Sequence, residues 1–245
     1  MIDSFQEKLA GELAGIESAD LRRTVREVAS AQGARVRLEG REVLNFSSND
    51  YLGLANHPAL KESAVQAIEN FGTGAGAARL ISGSQSPHHE LESVLANFKG
   101  TESALAFSSG YAAALGTIPA LVGIGDVVVL DKLVHASLVD AAKLSGAKLR
   151  VSKHNDLADL ARILEWAAEQ GGRTLMVAES VYSMDGDLAP LLNLVELKEQ
   201  HGAWLMLDEA HATGLYGEGR RGVAEEFDVA ARVEVQMGTL GKALG

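Results

Sequence analysis

From about residue 59 onward, short unbroken apolar runs take turns with longer amphipathic ones. The short runs are SALAFSS (103–109), DVVVLD (126–131), KLRVS (148–152), TLMVAES (174–180), WLMLDEA (204–210) and VEVQMG (233–238). Runs of this length without polar alternation predict strands buried on both faces. Between them, segments such as DLADLARILEWAAEQ (156–170) repeat their apolar positions at helical spacing. Buried strands alternating with helices predict an α/β domain with a mostly parallel sheet covered by helices on both faces. Two further helices are expected ahead of the first strand. One opens at Pro58 and closes at Gly72; the other takes Ser86 as N-cap and Pro87 in its first turn, and runs to Gly100. Nearer the start, residues 4–29 predict one amphipathic helix or two short ones, with Leu9, Leu13, Ile16 and Leu21 on one stripe. Such an arm suits packing on its own domain or on a partner subunit. VRLEGREVLNFSS then alternates about Glu39-Gly40, as a hairpin does. The expected organisation is an arm and hairpin over 1–45 and a large domain over 46–245.

Composition narrows the chemistry. The chain has 245 residues, 47% of them hydrophobic, which is enough for one large buried core. Its 33 acidic against 22 basic side chains give a net charge of -11, which argues against a nucleic-acid surface. With no cysteine, thiolate nucleophiles and Cys-based zinc sites are excluded. No metal site is expected from the remaining pattern. The first residues lack the basic and apolar regions of a signal peptide, and no apolar run reaches the ~18 residues of a membrane span. A cytoplasmic location without membrane association is the resulting expectation.

In sheets of this kind ligands bind at the carboxyl ends of the strands. Four such ends carry polar residues with chemistry. Asp208 follows four apolar residues, so its carboxylate is partly desolvated and needs a cationic partner, such as the pyridinium nitrogen of pyridoxal 5'-phosphate (PLP), or strong donors. His211 lies three residues on, within reach of the same ring's phenolic oxygen. Lys242 sits among Gly241, Ala243 and Gly245, whose small size lets a planar ring approach, and a lysine enclosed there forms an imine with an aldehyde. Thr239 offers a hydroxyl to a phosphate. Ser108-Ser109-Gly110 joins a strand to a helix start, an anion site by its exposed N–H groups. His135 follows DVVVLDKLV at a further junction and suits stacking on an aromatic ring. Each signal alone is equally compatible with a structural role: a capping Asp, a surface lysine, a capped helix, a core histidine.

Together and in this order they resemble the α-oxoamine synthases, PLP enzymes of the fold type I class. The resemblance is carried by NFSSNDYLGL (45–54), GAGAARLISGS (74–84), ELESVLANFKG (90–100), FSSGYAAALG (107–116), DKLVHASLVDAAKLSGAK (131–148), ESVYSMDGDLAPL (179–191), LDEAHATGLYGEGRRG (207–222) and GTLGKALG (238–245). It implies that Lys242 holds PLP as a Schiff base and removes the substrate Cα proton. By the same resemblance Asp208 pairs with the ring nitrogen, His211 and Ser183 hold the phenolic oxygen, and His135 stacks on the ring. Ser109, Gly110, Tyr111 and Thr239 take the phosphate, Asn49 the substrate carboxylate, and Arg22 or Arg23 the acyl substrate. The implied reaction is decarboxylative condensation of an amino acid with an acyl thioester in a homodimer. GAGAARLISGS points to L-alanine and a pimeloyl thioester, with glycine-using and serine-using members as alternatives. Family members continue well beyond the lysine into a small C-terminal domain with a carboxylate-gripping arginine. This chain ends three residues after Lys242 and is expected to be part of a longer protein.

Two other classes compete. A dehydrogenase-like reading rests on Gly217, Gly219 and Gly222 at G-x-G-x-x-G spacing, but arginines fill the variable positions and no acidic residue follows on a strand. A phosphate-binding G-x-x-x-x-G-K loop fails because Gln236 stands where its first glycine belongs. A non-catalytic subunit with the same fold is disfavoured by the retention of both Lys242 and Asp208.

Overall fold

The computed structural model describes residues 2–245, which divide into two compact units, 2–47 and 48–245. The first unit opens with one helix, α1 (Ile2–Ser18). The second helix allowed for in 19–29 does not form, and Leu21 lies outside the helix. The hairpin does form: β1 (Arg35–Leu38) pairs antiparallel with β2 (Arg41–Leu44). Its turn places Glu39 at φ 49° and Gly40 at φ 80°, the two left-handed positions that match strand twist in a two-residue loop.

The second unit begins with α2 (Pro58–Phe71), closed by Gly72, and α3 (Ser86–Lys99), closed by Gly100 in the left-handed region. The cap of α3 is shifted by one from the sequence expectation. Gln85 is the N-cap and forms a reciprocal capping box with His88, so Ser86 is already helical. There follow α4 (Gly110–Leu121), β3 (Val127–Asp131), α5 (Ala136–Ser145), β4 (Lys148–Ser152), α6 (Leu157–Ala168), β5 (Thr174–Glu179), α7 (Leu191–Gln200), β6 (Trp204–Asp208), α8 (Val223–Glu226), β7 (Val235–Met237) and α9 (Leu240–Ala243). Five strands form one parallel sheet in the order β4-β3-β5-β6-β7. The fold is α/β, a parallel sheet with helices on both faces, as the sequence pattern predicts.

The core is what the apolar runs dictate. Val127–Leu130, Leu175–Ala178 and Leu205–Leu207 are buried, each full burial contributing roughly 1.5–3 kcal/mol before chain entropy is counted. Ala114 and Ile118 of α4, Leu138 and Ala142 of α5, Leu160 and Leu164 of α6, and Leu191 and Val195 of α7 complete it. The connection from β3 moves outward to β4, whereas the next returns across β3 to β5. The direction in which strands are added therefore reverses after β4, and right-handed crossovers place α5 on the face opposite α6 and α7. That reversal opens a crevice at the carboxyl ends of β3 and β5.

One expected strand is absent. Residues 103–109 form no ladder; Ala106 N–H instead donates to the Glu92 carboxylate at 2.9 Å, and Leu105 and Phe107 are exposed. A strand exists only with a neighbour, and among the described residues none runs beside this segment.

A buried ion pair stiffens the end of β6. Glu209 is fully buried; its carboxylate takes Lys99 Nζ at 2.6 Å and Ala224 N–H at 2.9 Å. Gly222, at φ +133°, approaches so closely that a Cβ there would lie 2.4 Å from Glu209 Oε1. Gly217 and Gly219 likewise lie against Glu225, so the G-x-G-x-x-G spacing packs on protein carboxylates, which removes it as a phosphate loop.

Candidate active site

A cavity of about 200 Å³ lies across the ends of β3, β5, β6 and β7, and it gathers Gly110, Tyr111, His135, Asp208, His211, Thr239 and Lys242. These are residues the sequence singled out from four separate stretches. His135, Asp208, His211, Thr239 and Lys242 reach the cavity because a strand stops there and the chain turns, whereas Gly110 and Tyr111 arrive at the start of α4.

Asp208 ends β6 and is 6% exposed. Its Oδ1 accepts the N–H of Ala210 at 2.9 Å, and among the described residues it has no ion-pair partner. Burial pushes its pKa above the usual carboxylate range. Lys242, in α9, lines the same cavity, and burial lowers its pKa against the opposing pull of Asp208 and Glu179. A lysine so placed is closer to the neutral amine, the nucleophilic form. Asp208 wants a cation and Lys242 an electrophile, and the cavity between them is where one planar group would meet both.

His135 is the N-cap of α5. Its Nδ1 accepts Ser137 N–H at 3.2 Å and lies 2.7 Å from Ser137 Oγ, which fixes the ring at the cavity wall. Ser109 caps α4, accepting Ala112 N–H at 3.1 Å, and Gly110 and Tyr111 start that helix beside the cavity. Tyr111 donates to Asp140 Oδ2 at 3.0 Å. Thr239 caps α9 through Gly241 N–H at 3.4 Å. His211 is half-buried; desolvation, then the charges of Lys242 and His135, push its pKa down to about 4.

Five expected residues stand outside the cavity lining. Ser183 is exposed, on a loop tethered by His154, whose Nδ1 and Nε2 meet Asp131 at 2.9 Å and Asp187 at 2.8 Å. Ser109 touches the site only through the helix it caps. Asn49 reaches it through Tyr51, whose hydroxyl donates to Asn49 Oδ1 at 3.2 Å. Arg22 and Arg23 belong to the first unit, where Arg22 pairs with Glu17.

Sequence reasoning marks the strand end at Glu179 but gives that residue no role. It ends β5 directly beside Asp208 in the ladder, lines the cavity and is 2% exposed. Its two oxygens accept the backbone N–H groups of His135 and, at 3.2 Å, Ser183. One carboxylate therefore ties together two strand-end loops. Burial, then the Asp208 charge, push it up to about 7. The only sequence signal was an acid closing an apolar run, the signal that drew attention to Asp208. Glu179→Gln offers one acceptor oxygen where the carboxylate has two, so one N–H loses its partner at a cost of about 1–3 kcal/mol. The folded chain holds a proton here that the unfolded chain has released between about pH 4.5 and 7, so this group's contribution falls as pH rises through that window. Urea denaturation of the cofactor-free full-length gene product is expected to show a shallower slope in that window for Glu179→Gln. An unchanged slope would contradict the assignment.

The sequence family model for aminotransferase class I and II matches residues 41–245. The chain belongs to that family. An 8-amino-7-oxononanoate synthase of Geobacter sulfurreducens is 58% identical over 97% of this chain and 60% of its own length. The serine palmitoyltransferase structure from Sphingomonas wittichii superposes with a TM-score of 0.89 at 34% identity, covering all of this chain and 61% of that one. Another structure, titled as SPT with PLP, has a TM-score of 0.89 at 31% identity over 99% of this chain and 61% of its own. The chain thus spans about 60% of the length of the curated relatives it matches. The motif resemblance to the α-oxoamine synthase branch of this aminotransferase family is borne out.

Proposed function

We propose that this chain is the cofactor-binding part of a PLP-dependent acyltransferase. It would condense L-alanine with a pimeloyl thioester to 8-amino-7-oxononanoate, releasing CO2 and the free thiol. The observation that carries the reading is the placing across one cavity of a buried carboxylate, Asp208, with no ion-pair partner among the described residues, and a partly desolvated lysine, Lys242. The 58% identity to an 8-amino-7-oxononanoate synthase supports alanine over serine, since the Sphingomonas wittichii serine palmitoyltransferase is 34% identical.

The residues fit the cofactor in kind. Lys242 would hold its aldehyde carbon, Asp208 its ring nitrogen, His135 a ring face, and His211 with Ser183 its phenolic oxygen. The start of α4 at Ser109, Gly110 and Tyr111, with Thr239, would hold the phosphate. When bound, the cofactor supplies an electron sink that stabilises negative charge at the substrate Cα. Lys242 then removes and returns the proton at that carbon, and Asn49 orients the substrate carboxylate. Arg22 and Arg23 remain the proposed contacts of the acyl substrate. A homodimer in the cytoplasm, using CoA or a carrier protein as thiol, completes the reading.

The full-length gene product loaded with PLP is expected to change its visible absorption on addition of L-alanine. A cofactor band that ignores every amino acid would overturn the catalytic reading and favour a non-catalytic subunit.

A further inference from the structure

The NDYLGL stretch builds a tight turn at the start of the second unit. Asp50 Oδ1 accepts the N–H groups of Leu54 at 2.8 Å and Ala55 at 3.1 Å, and Gly53 closes the turn at φ +67°. A short polar side chain and a left-handed glycine thereby fix the backbone on either side of Tyr51. The Tyr51 hydroxyl is brought to 2.7 Å from His211 Nδ1, with the rings edge-on at 6.1 Å.

The direction of these bonds follows from proton counting. A phenol has one proton; Asn49 Oδ1, at 3.2 Å, can only accept, so with both contacts made Tyr51 donates there. Toward His211 the hydroxyl can then only accept. Nδ1 must carry the imidazole proton, and Nε2 is left with its lone pair. The charged or titratable cavity residues around His211 are Lys242, His135, Asp208 and Glu179. Burial with the Lys242 and His135 charges holds the ring neutral, so its tautomer is the variable that remains open to control.

We propose that Tyr51 is a positioning residue for His211, fixing the ring's orientation and placing its proton on Nδ1 so that Nε2 is a hydrogen-bond acceptor in the cofactor-free site. The tautomer rests on geometry alone; its weight in catalysis rests on the function proposed above.

Nitrogen-15 NMR of histidine-labelled, cofactor-free full-length gene product tests the tautomer, with His211→Gln to assign the signals. The wild type is expected to show a protonated Nδ1 and an unprotonated Nε2 for His211. His135 provides an internal contrast, because its Nδ1 accepts the N–H of Ser137. In Tyr51→Phe the His211 signals are expected to move toward the Nε2-protonated form that a free imidazole prefers. An unprotonated Nδ1 in the wild type, or an unchanged tautomer in Tyr51→Phe, would overturn the proposal. In the PLP-loaded protein, Tyr51→Phe is expected to lower kcat about tenfold, the size of one lost hydrogen bond, with KM for both substrates nearly unchanged. A shifted tautomer with unchanged kcat would refute the positioning role while leaving the proposed reaction intact. Absence of turnover in the wild type would refute the reaction while leaving the tautomer assignment standing.

Discussion

Lys242→Ala is expected to abolish covalent attachment of PLP and to cut turnover by about 10²–10⁴-fold, the usual contribution of a positioned proton-transfer group. The geometry gives the reason. Lys242 is the one lysine among the residues lining the cavity, and burial holds its pKa below that of a surface lysine. Borohydride reduction followed by peptide mass spectrometry reads the attachment directly. In the wild type the reduced cofactor should be found on the peptide that contains Lys242, and in the variant on none. Noncovalent binding through the remaining residues should persist. A labelled variant would assign the anchor to another residue.

Asp208→Asn should have opposite effects on the loaded and the empty protein. Facing a bound cation, the buried carboxylate is one half of an ion pair, and removing one half of a buried pair costs about 3–5 kcal/mol. PLP affinity should therefore fall by roughly 150- to 5,000-fold, readable by equilibrium dialysis. In the empty protein the sign reverses. Burial raises the folded-state pKa of Asp208, so ionisation is less favourable in the folded chain than in the unfolded one. The isosteric amide removes that penalty, and the cofactor-free variant should be at least as stable as the wild type at neutral pH. Lost affinity together with lost stability of the empty form would show that Asp208 serves the fold rather than a ligand.

Much of this was legible in the chain because local and global preferences agree. The runs that became β3, β5 and β6 are apolar on both faces, and that pattern has few stable solutions other than a covered parallel sheet. The Glu39-Gly40 turn and the closing glycines Gly72 and Gly100 were readable because each obeys a backbone rule. The segment 103–109 looked like a strand for the same reason as the others. Its pairing depends on a neighbour, and no local pattern encodes one. Serine is a common cap and so the local pattern favours Ser86, whereas Gln85 and His88 form a box that only three-dimensional geometry reveals.

The site follows the same division. Lys242, Asp208, His135 and His211 were visible as polar residues interrupting apolar runs, and the cavity brings them together. Glu179 was invisible as a functional group because its neighbours His135 and Ser183 are 44 and 4 residues away, and its bonds go to their backbones rather than to their side chains. Tyr51 lies 160 residues from His211, a separation across which a sequence carries no spacing rule.

The most direct test of the central claim is thioester consumption by the full-length gene product with PLP. Pimeloyl-CoA would be offered with L-alanine, and in parallel with glycine and with L-serine. The account predicts thiol release that depends on alanine, with an aminoketone product of the mass of 8-amino-7-oxononanoate. Turnover with glycine or serine and none with alanine would contradict it.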